Sequence, residues 1–350
     1  MYLFDLGHLP GQQSMLIFHA LARMNVEALV VVSPQVPLVS VGYFQDAQAE
    51  VDLPYCQQTC LPIMRREIGG GATYLDGNQI FYQVILRRNN PRLPGRIAEI
   101  YQRFSQPAVE TYGEFGIKTH FRKVNDIVTA EGRKIAGEGG ADIGPCMVFV
   151  GGILMDFDYR TMSKVLKVPD EKFRDKVFKS MEENLTTMRR ELGEVPAWFD
   201  VKSVLIEKFQ NFLGPMERAS LNREIMVKME HLERQFISPE FLYKKTPKVA
   251  KGVKIREGVE VLYGLHKAAG GLIRTVQEVE DERIQDVGIS GDFTFFPKVE
   301  LGHLEGELQG TRRRPANLRP KIERFYEGHQ VESPGVDADD LMKAMEVVDQ

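Results

Sequence analysis

The spacing of apolar residues along the chain predicts a mixture of helices and strands. Apolar positions recur every three or four residues in GQQSMLIFHALARMN, residues 11–25, which is the pattern of an amphipathic helix. Short apolar runs at residues 28–32 and 37–43, and a longer run at 77–86, predict strands. The first part of the chain is therefore expected to form a mixed α/β structure.

Further elements are predicted toward the carboxyl terminus. Residues 91–116 are expected to be helical with a kink at Pro107, because proline lacks the N–H that a helix interior needs. The segment DIVTAEGRKIAG, residues 126–137, predicts a hairpin with Glu131 and Gly132 at its turn. The other predicted elements are an apolar strand that begins at residue 146, a helix at 159–168, helices over most of 170–231 and a capped short helix at 337–348.

Length and composition predict two domains. A chain of 350 residues that is 43% hydrophobic can bury one large core and a smaller one. The Lys-rich stretch TPKVAKGVKIREG, residues 246–258, is typical of a linker. We therefore place a larger domain at residues 1–247 and a smaller α+β domain at 248–350.

Charge and hydropathy argue against several classes of function. A net charge of −4 with a pI near 6.1 disfavours nonspecific binding to nucleic acid. No uninterrupted apolar run approaches the length that spans a membrane, and the start of the chain lacks the pattern of a secretory signal. We expect a cytoplasmic protein with no nucleic-acid or membrane partner.

A stretch rich in arginine and glycine is the first candidate for chemistry. Arg65 and Arg66 precede three consecutive glycines, Gly69–Gly71, and a predicted strand follows. Glycines let main-chain N–H groups approach an anion, and arginine offers a fork of donors suited to phosphate or carboxylate. The stretch is neither a P-loop nor a dinucleotide-binding turn, because it lacks the Lys-Ser/Thr pair and no helix follows. It is a phosphate cradle or a glycine-rich turn between two strands.

Several motifs, in order, resemble the lipoate–protein ligase family. The first two are RRxxGGGxxxxD at residues 65–76 and Asn125-Asp126 with GRKIAG at 132–137. The third is the apolar strand from residue 146, which Gly151 and Gly152 interrupt, with the helix that follows it. The fourth is SPEFLY at 238–243 with Pro247. Past residue 250 the chain is similar to the accessory domain of these ligases. The resemblance implies a mixed-sheet catalytic domain like those of biotin and lipoate ligases, followed by a small C-terminal α+β accessory domain.

The resemblance also implies a reaction and roles for individual residues. The family activates lipoate with ATP as lipoyl-adenylate and then transfers the lipoyl group to a lysine of a carrier protein. Lys134 matches the catalytic lysine, and Asp126 is the candidate Mg²⁺ ligand, directly or through water. The residues expected to bind ATP or lipoyl-adenylate are Arg65, Arg66, Gly69, Gly70, Gly71, Ala72, Thr73, Tyr74, Leu75, Asn125, Asp126, Gly137 and Gly151. The expected acceptor is a dehydrogenase lipoyl domain, a glycine-cleavage-type carrier or a lipoate-binding protein of a sulfur-oxidation system.

The chain departs from the family pattern at two places expected near the nucleotide. Leu75 stands where the family usually has a histidine, and Phe149-Val150 stand where it often has a histidine pair. These changes indicate a divergent branch, with contacts to the base or the acyl group as the candidates for change.

The three cysteines bear on the choice of mechanism. Cys56, Cys60 and Cys146 are an odd number in a chain without a secretory signal, so a disulfide framework is not expected. Octanoyltransferases of the superfamily form a thioester on a cysteine just before the hairpin or after the third motif, and neither KTHFRKVND nor VLKVPDEKF contains one. This favours activation by ATP. Two alternatives stay open: an octanoyl or lipoyl transferase that needs no ATP, and a non-catalytic paralogue that binds lipoyl domains.

Overall fold

The computed structural model describes residues 1–247 and 258–347, which form two compact units. The N-terminal unit comprises Met1–Val41, Val51–Glu67 and Ala72–Leu242. The C-terminal unit comprises Gly42–Glu50, Ile68–Gly71 and the described residues after Leu242. Two short segments from the first part of the chain thus cluster with the C-terminal residues. The predicted boundary at 247/248 stays a prediction, and most of the predicted linker, residues 248–257, lies outside the described residues.

The structure assigns helices and strands as follows. The strands are β1 (Tyr2–Leu9), β2 (Ala28–Pro34), β3 (Leu38–Val41), β4 (Ile63–Arg65), β5 (Thr73–Leu75), β6 (Gln79–Arg87), β7 (Thr119–Arg122), β8 (Asp126–Thr129), β9 (Lys134–Gly137), β10 (Gly139–Ile143), β11 (Cys146–Leu154), β12 (Glu217–Arg218), β13 (Val259–Ala268), β14 (Gly271–Glu280) and β15 (Arg283–Gly291). The helices are α1 (Gly11–Arg23), α2 (Ala47–Glu50), α3 (Leu53–Gln58), α4 (Ile97–Phe104), α5 (Gln106–Glu114), α6 (Tyr159–Val165), α7 (Glu171–Asn184), α8 (Met188–Leu192), α9 (Trp198–Leu213), α10 (Arg223–Phe236), α11 (Pro239–Leu242), α12 (Glu300–Leu308), α13 (Pro315–Gly328) and α14 (Ala338–Ala344). None of these helices is both long enough and apolar enough to cross a lipid bilayer.

The N-terminal unit is built around a six-stranded mixed sheet with the order β10-β11-β6-β2-β1-β12. Strand β1 pairs in parallel with β2 and β12, whereas the β2–β6, β6–β11 and β10–β11 pairs are antiparallel. Every residue of β2 is buried, which explains why residues 28–32 are continuously apolar and do not alternate. Two three-stranded sheets, β4-β3-β5 and β7-β8-β9, also belong to this unit. The predicted mixed-sheet α/β fold is confirmed.

The helices of the N-terminal unit largely follow the predictions. Helix α1 is the predicted amphipathic helix and packs on β2 and α10. The prediction of one kinked helix over 91–116 was wrong at its start, because the two prolines in PRLPG disfavour helix for the residues before them and α4 begins at Ile97. At Pro107 the chain forms two helices, α4 and α5, because proline fits the first turn of a helix but not its interior.

The C-terminal unit has its own core on an antiparallel sheet, β13-β14-β15. Buried and half-buried residues alternate along β14, which is the period of a strand with one face on a core. Helices α12 and α14 pack on the sheet, and α13 packs against both helices. Phe44 joins this core and stacks on Phe293 with ring centroids 5.3 Å apart. The predicted cap on the last helix is confirmed as a capping box of Asp337 and Asp340, and the helix ends at Ala344.

Candidate active site

The predicted hairpin is present and places Lys134 at the start of a strand. Strands β8 and β9 pair antiparallel, with Asp126 opposite Gly137 and Val128 opposite Lys134. Gly132 in the turn has φ of 82°, a left-handed conformation that glycine adopts without a steric penalty. The local sequence EGRK therefore sets the turn and, with it, the position of the lysine.

Lys134 and Asp126 form an ion pair at the base of this hairpin. Lys134 Nζ lies 2.7 Å from Asp126 Oδ1, and Arg122 donates a hydrogen bond to Asp126 Oδ2 at 2.9 Å. Burial alone would raise the pKa of Asp126, but the charges and hydrogen bonds of Lys134 and Arg122 outweigh it and hold that pKa below its usual value. The Lys134 side chain is 38% exposed. Its ammonium is therefore oriented by a carboxylate and still accessible from solvent.

Backbone contacts fix the surroundings of Lys134. The Thr186 N–H donates to the carbonyl of Lys134 at 2.8 Å, and the Asn125 side-chain amide donates to the carbonyl of Glu138 at 2.7 Å. A Cβ on Gly137 would lie 2.8 Å from Lys134 Nζ, so a larger residue there would displace the lysine side chain. The structure thus brings together four predicted site residues, namely Asn125, Asp126, Lys134 and Gly137.

A buried carboxyl group beside the hairpin was missed by the sequence reasoning. Glu138 is 4% exposed, and the Tyr82 hydroxyl donates to its Oε1 at 2.6 Å. Burial raises the pKa of Glu138 to about 8. Gly151, a predicted site residue, lies against the same pair, since a Cβ on it would be 2.2 Å from the Tyr82 hydroxyl oxygen. The available signal was an acidic residue inside a segment, IAGEGG, that otherwise lacks charge.

Arg65 and Arg66 are buried and bonded to protein carbonyls. Arg65 Nε donates to the carbonyl of Phe241 at 2.8 Å, and the same guanidinium donates to the carbonyl of Leu242. Arg66 donates to the carbonyl of Ser40 at 2.9 Å. Burial, together with the charge of Arg65, lowers the pKa of Arg66 to about 10, so it stays a cation at neutral pH. Both arginines hold segments of the N-terminal unit together, and their predicted contact with phosphate stays a prediction.

The triple glycine packs within the C-terminal unit. Gly70 has φ of 86°, and its N–H donates to the carbonyl of Phe293 at 3.2 Å. A Cβ on Gly69 would lie 2.5 Å from that carbonyl oxygen, and a Cβ on Gly42 would lie 1.8 Å from the carbonyl oxygen of Gly70. Backbones approach too closely here for side chains, which gives the glycines a packing role. Their role as a phosphate cradle stays a prediction.

The residues after the glycines form the short strand β5 and the turn that leads into it. Ala72 is half-buried and Thr73 is exposed, whereas Tyr74 is buried. The Tyr74 ring meets Phe157 edge-on, with centroids 6.5 Å apart. Thr73 is therefore the member of β5 whose side chain is accessible to a ligand.

Of the residues that depart from the family pattern, Leu75 and Phe149 are core positions and Val150 is half-buried. Leu75 is buried and pairs with Leu38 in the β3–β5 ladder. Phe149 is fully buried, with ring centroids 5.6 Å from Tyr101 and 5.7 Å from Phe104. Apolar residues at these positions add contacts to the core, where a histidine would need a polar partner.

The role of Asp126 as a magnesium ligand, directly or through water, stays a prediction. Each of its oxygens accepts from a cation, Lys134 or Arg122, and each keeps a second lone pair that could face a metal ion or its water. Among the residues that the structure describes, no cluster of three or more His, Cys, Asp or Glu ligand atoms includes Asp126.

Two of the three thiols are buried. Burial raises the pKa of both Cys56 and Cys146 to about 11, so both are protonated at neutral pH. Since the thiolate is the nucleophile, neither is poised for covalent catalysis. Cys60 is exposed on a left-handed residue after α3.

Comparisons with known proteins find related sequences and structures. The lipoyl protein ligase A/B catalytic domain family matches residues 13–210. Lipoate–protein ligase 2 of Staphylococcus aureus is 25% identical over 292 residues, which cover 83% of this chain and 82% of that protein. Octanoyltransferase LipM of Kyrpidia tusciae is 26% identical over 231 residues, covering 60% of this chain and 84% of that protein.

A solved structure is similar as well. It is that of a bi-partite lipoate protein ligase and its E2 lipoyl domain from Thermoplasma acidophilum, with a TM-score of 0.62 and 25% identity, covering 71% of this chain and 98% of the matched chain. The family match spans more than half of the sequence and includes the hairpin with Lys134. This chain therefore belongs to the lipoyl protein ligase A/B catalytic domain family, whose relatives named above are ligases and acyltransferases.

Proposed function

We propose that this protein is an ATP-dependent lipoate–protein ligase, which forms lipoyl-adenylate and transfers the lipoyl group to a lysine of a carrier protein. The observation that carries the proposal is the position of Lys134, whose ammonium is oriented 2.7 Å from Asp126 and is accessible from solvent. Adenylate formation brings a carboxylate and a phosphate together, so a fixed cation between them stabilises the transition state.

Each residue around Lys134 has a part in this scheme. An ammonium has three donors, and Asp126 takes one of them, which leaves donors that can contact the lipoate carboxylate and the α-phosphate. Arg122 offsets the negative charge of Asp126, so the carboxylate orients Lys134 without repelling an anionic substrate. Asn125 and Gly137 hold the hairpin and leave room for the lysine.

The chemistry has two steps. In the first, a carboxylate oxygen of lipoate bonds to the α-phosphorus of ATP and pyrophosphate leaves. In the second, the amine of the acceptor lysine bonds to the acyl carbon, AMP leaves, and the amine loses a proton. The proposal keeps Gly69–Gly71, Ala72–Leu75, Arg65, Arg66 and Gly151 as the nucleotide- and acyl-binding residues. Magnesium stays a prediction, and no step above depends on it.

The state of the cysteines supports the use of ATP over covalent transfer. A transferase that forms an acyl-thioester needs a thiolate, and burial keeps Cys56 and Cys146 protonated. The relative in Staphylococcus aureus is named a lipoate–protein ligase. The structure from Thermoplasma acidophilum pairs a ligase with an E2 lipoyl domain, which supports a lipoyl domain as the acceptor.

A transferase that needs no ATP is the second candidate. The observation in its favour is the relative in Kyrpidia tusciae, which is named an octanoyltransferase and is about as similar to this chain as the ligase is. In that case the acyl group would come from an acyl-carrier thioester, and Cys60 would be the accessible thiol among the three.

The two candidates differ in their need for nucleotide. We would incubate the full chain with a lipoyl domain and either lipoate plus ATP or an octanoyl-carrier protein without ATP, and measure the intact mass of the acceptor. The ligase proposal predicts added lipoyl mass only in the first mixture, together with release of pyrophosphate. Modification in the second mixture alone would refute it.

A lysine variant tests the assignment of the catalytic residue. Lys134→Ala should slow adenylate formation by about 10²- to 10³-fold, the usual cost of one preorganised electrostatic contact in a transition state. Lys118→Ala is the matched control, because Lys118 is exposed and lies just ahead of the same sheet. Equal pyrophosphate release by the two variants would show that Lys134 is an ordinary surface lysine.

A further inference from the structure

A cluster of metal-ligating side chains lies in the C-terminal unit and contains none of the predicted active-site residues. Glu300 and His303 are three residues apart on α12, so they share one face of the helix. His329 directly follows α13. The ligand atoms of the three residues all lie within 4.8 Å of one another.

The two imidazoles converge on one carboxylate oxygen. His303 Nδ1 lies 3.0 Å from Glu300 Oε2, and His329 Nδ1 lies 2.7 Å from the same atom. Glu300 is only 15% exposed, so its carboxylate is held in place at the centre of the cluster. We propose that Glu300, His303 and His329 form a binding site for a divalent transition-metal ion, with Zn²⁺ as the best match.

The distances suit a metal ion in place of the shared hydrogen bonds. Zinc binds imidazole nitrogen and carboxylate oxygen at about 2.0–2.2 Å, which puts tetrahedral ligand atoms roughly 3.3 Å apart. The separations from Glu300 Oε2 are 3.0 Å for His303 Nδ1 and 2.7 Å for His329 Nδ1, and the ligand atoms of all three residues lie within 4.8 Å of one another. A bound ion would therefore require side-chain rotations that bring the two imidazoles closer together.

Metal binding would change which ring nitrogen of each histidine carries the proton, and Glu307 lies near one of these nitrogens. Without metal, each imidazole donates to Glu300 through its Nδ1–H, and a metal ion would require both Nδ1 atoms as lone-pair donors, with the protons on Nε2. His329 Nε2 lies 3.8 Å from Glu307 Oε1, which is longer than a hydrogen bond, so the two side chains would have to move closer for Glu307 to accept that proton and stabilise the metal-binding tautomer. The Phe325 ring stacks on His329 with centroids 4.1 Å apart and holds its plane.

The donor set selects the class of ion. Two imidazoles and one carboxylate suit Zn²⁺, Ni²⁺ or Cu²⁺, whereas Mg²⁺ and Ca²⁺ prefer oxygen ligands alone. Three protein ligands leave a fourth tetrahedral position for water, and both histidines are exposed, so the ion has a direct path from solvent. The site is independent of the proposed ligase activity.

The test is to titrate zinc into the full chain and measure binding by isothermal titration calorimetry in buffer with excess Mg²⁺. The protein carries no affinity tag and is first treated with a chelator. Wild type should bind one zinc ion per chain. Glu307→Gln removes a residue that supports a ligand without being one, and such a loss should weaken zinc binding by about 10- to 100-fold. His303→Ala and His329→Ala each remove a ligand, so each should weaken zinc binding by more than about 100-fold. His266→Ala is the matched control, because His266 pairs with a single carboxylate, that of Asp340, in the same unit.

The variants also need a test that does not depend on their stability. Glu300→Gln keeps the size of the side chain and removes the anionic ligand, and zinc should raise the midpoint of thermal unfolding of wild type and of His266→Ala but not of Glu300→Gln. Absence of saturable zinc binding by wild type would overturn the proposal. Equal affinity in His303→Ala, His329→Ala and His266→Ala would overturn it as well.

Discussion

Replacing Glu138 with glutamine should abolish the pH dependence that this buried carboxyl group gives to stability. Glu138 accepts a hydrogen bond from Tyr82 through Oε1, and its Oε2 has no hydrogen-bond partner in the part of the chain that the structure describes. Burial raises its pKa to about 8, so the carboxyl is mostly neutral at pH 7. Glutamine is an isosteric mimic of that neutral form and does not titrate.

The direction and size of the effect follow from proton binding. In the unfolded chain the glutamate releases its proton near pH 4.5, whereas the folded chain keeps it up to about pH 8. Between these values the folded state binds more protons, so the stabilising contribution is complete below pH 4.5, falls as pH rises, and is lost above pH 8. A tenfold difference in proton affinity corresponds to about 1.4 kcal/mol, so the total loss for a shift from 4.5 to about 8 is on the order of 5 kcal/mol.

Urea unfolding can measure this change in the unit that contains Glu138. Trp198 is the one tryptophan of the chain and lies on α9 in the same unit, so its fluorescence reports the unfolding of that unit. Near pH 5, Glu138→Gln should be within about 1–2 kcal/mol of wild type, because its amide leaves one buried polar group unpaired. Near pH 9 it should be the more stable protein by several kcal/mol.

A matched substitution separates this effect from a general change in charge. Glu230→Gln removes a carboxylate from an exposed position on α10 and should track wild type at both pH values. If the free-energy difference between Glu138→Gln and wild type is the same at pH 5 and pH 9, the carboxyl is not held neutral by burial and the reasoning fails.

Three further predictions concern packing and thiols. Gly42→Ala should displace the Gly70 carbonyl and lower the free energy of unfolding by about 1–3 kcal/mol through overpacking. Gly95→Ala is the control, because a Cβ there meets no atom within 4 Å, and equal urea midpoints for the two variants would contradict the close approach. Arg65→Lys should lower the free energy of unfolding by about 1–3 kcal/mol, because buried carbonyls lose their donors. A selective rise in KM for ATP with unchanged stability would instead indicate a phosphate contact. Replacing all three cysteines with serine or alanine should leave the rate of lipoyl transfer within about twofold of wild type. An acyl adduct on Cys60 in the mass spectrum of the wild-type enzyme would show that a cysteine does carry the acyl group.

Short-range features of the fold and site were predictable from the sequence. The hairpin around Lys134 depends on residues within a dozen positions of one another, namely the Glu131-Gly132 turn and the apolar positions that flank it. The amphipathic helix α1 and the buried strand β2 likewise follow from local periodicity. Helix α4 begins at Ile97, later than the helical pattern predicts, because the two prolines of PRLPG disfavour helix for the residues before them.

The sequence by itself determined the order of motifs and the mixed α/β fold, and it made Lys134 the predicted catalytic residue, because each of these is encoded in short stretches of local pattern. Only the tertiary structure decided which charges are buried and what they contact. Arg65 meets carbonyls at the end of α11, Glu138 meets Tyr82 of β6, and His303 of α12 lies near His329, which follows α13. Desolvation and hydrogen-bond partners depend on distance in space, and residues far apart in the chain share no local signal that reveals their contact.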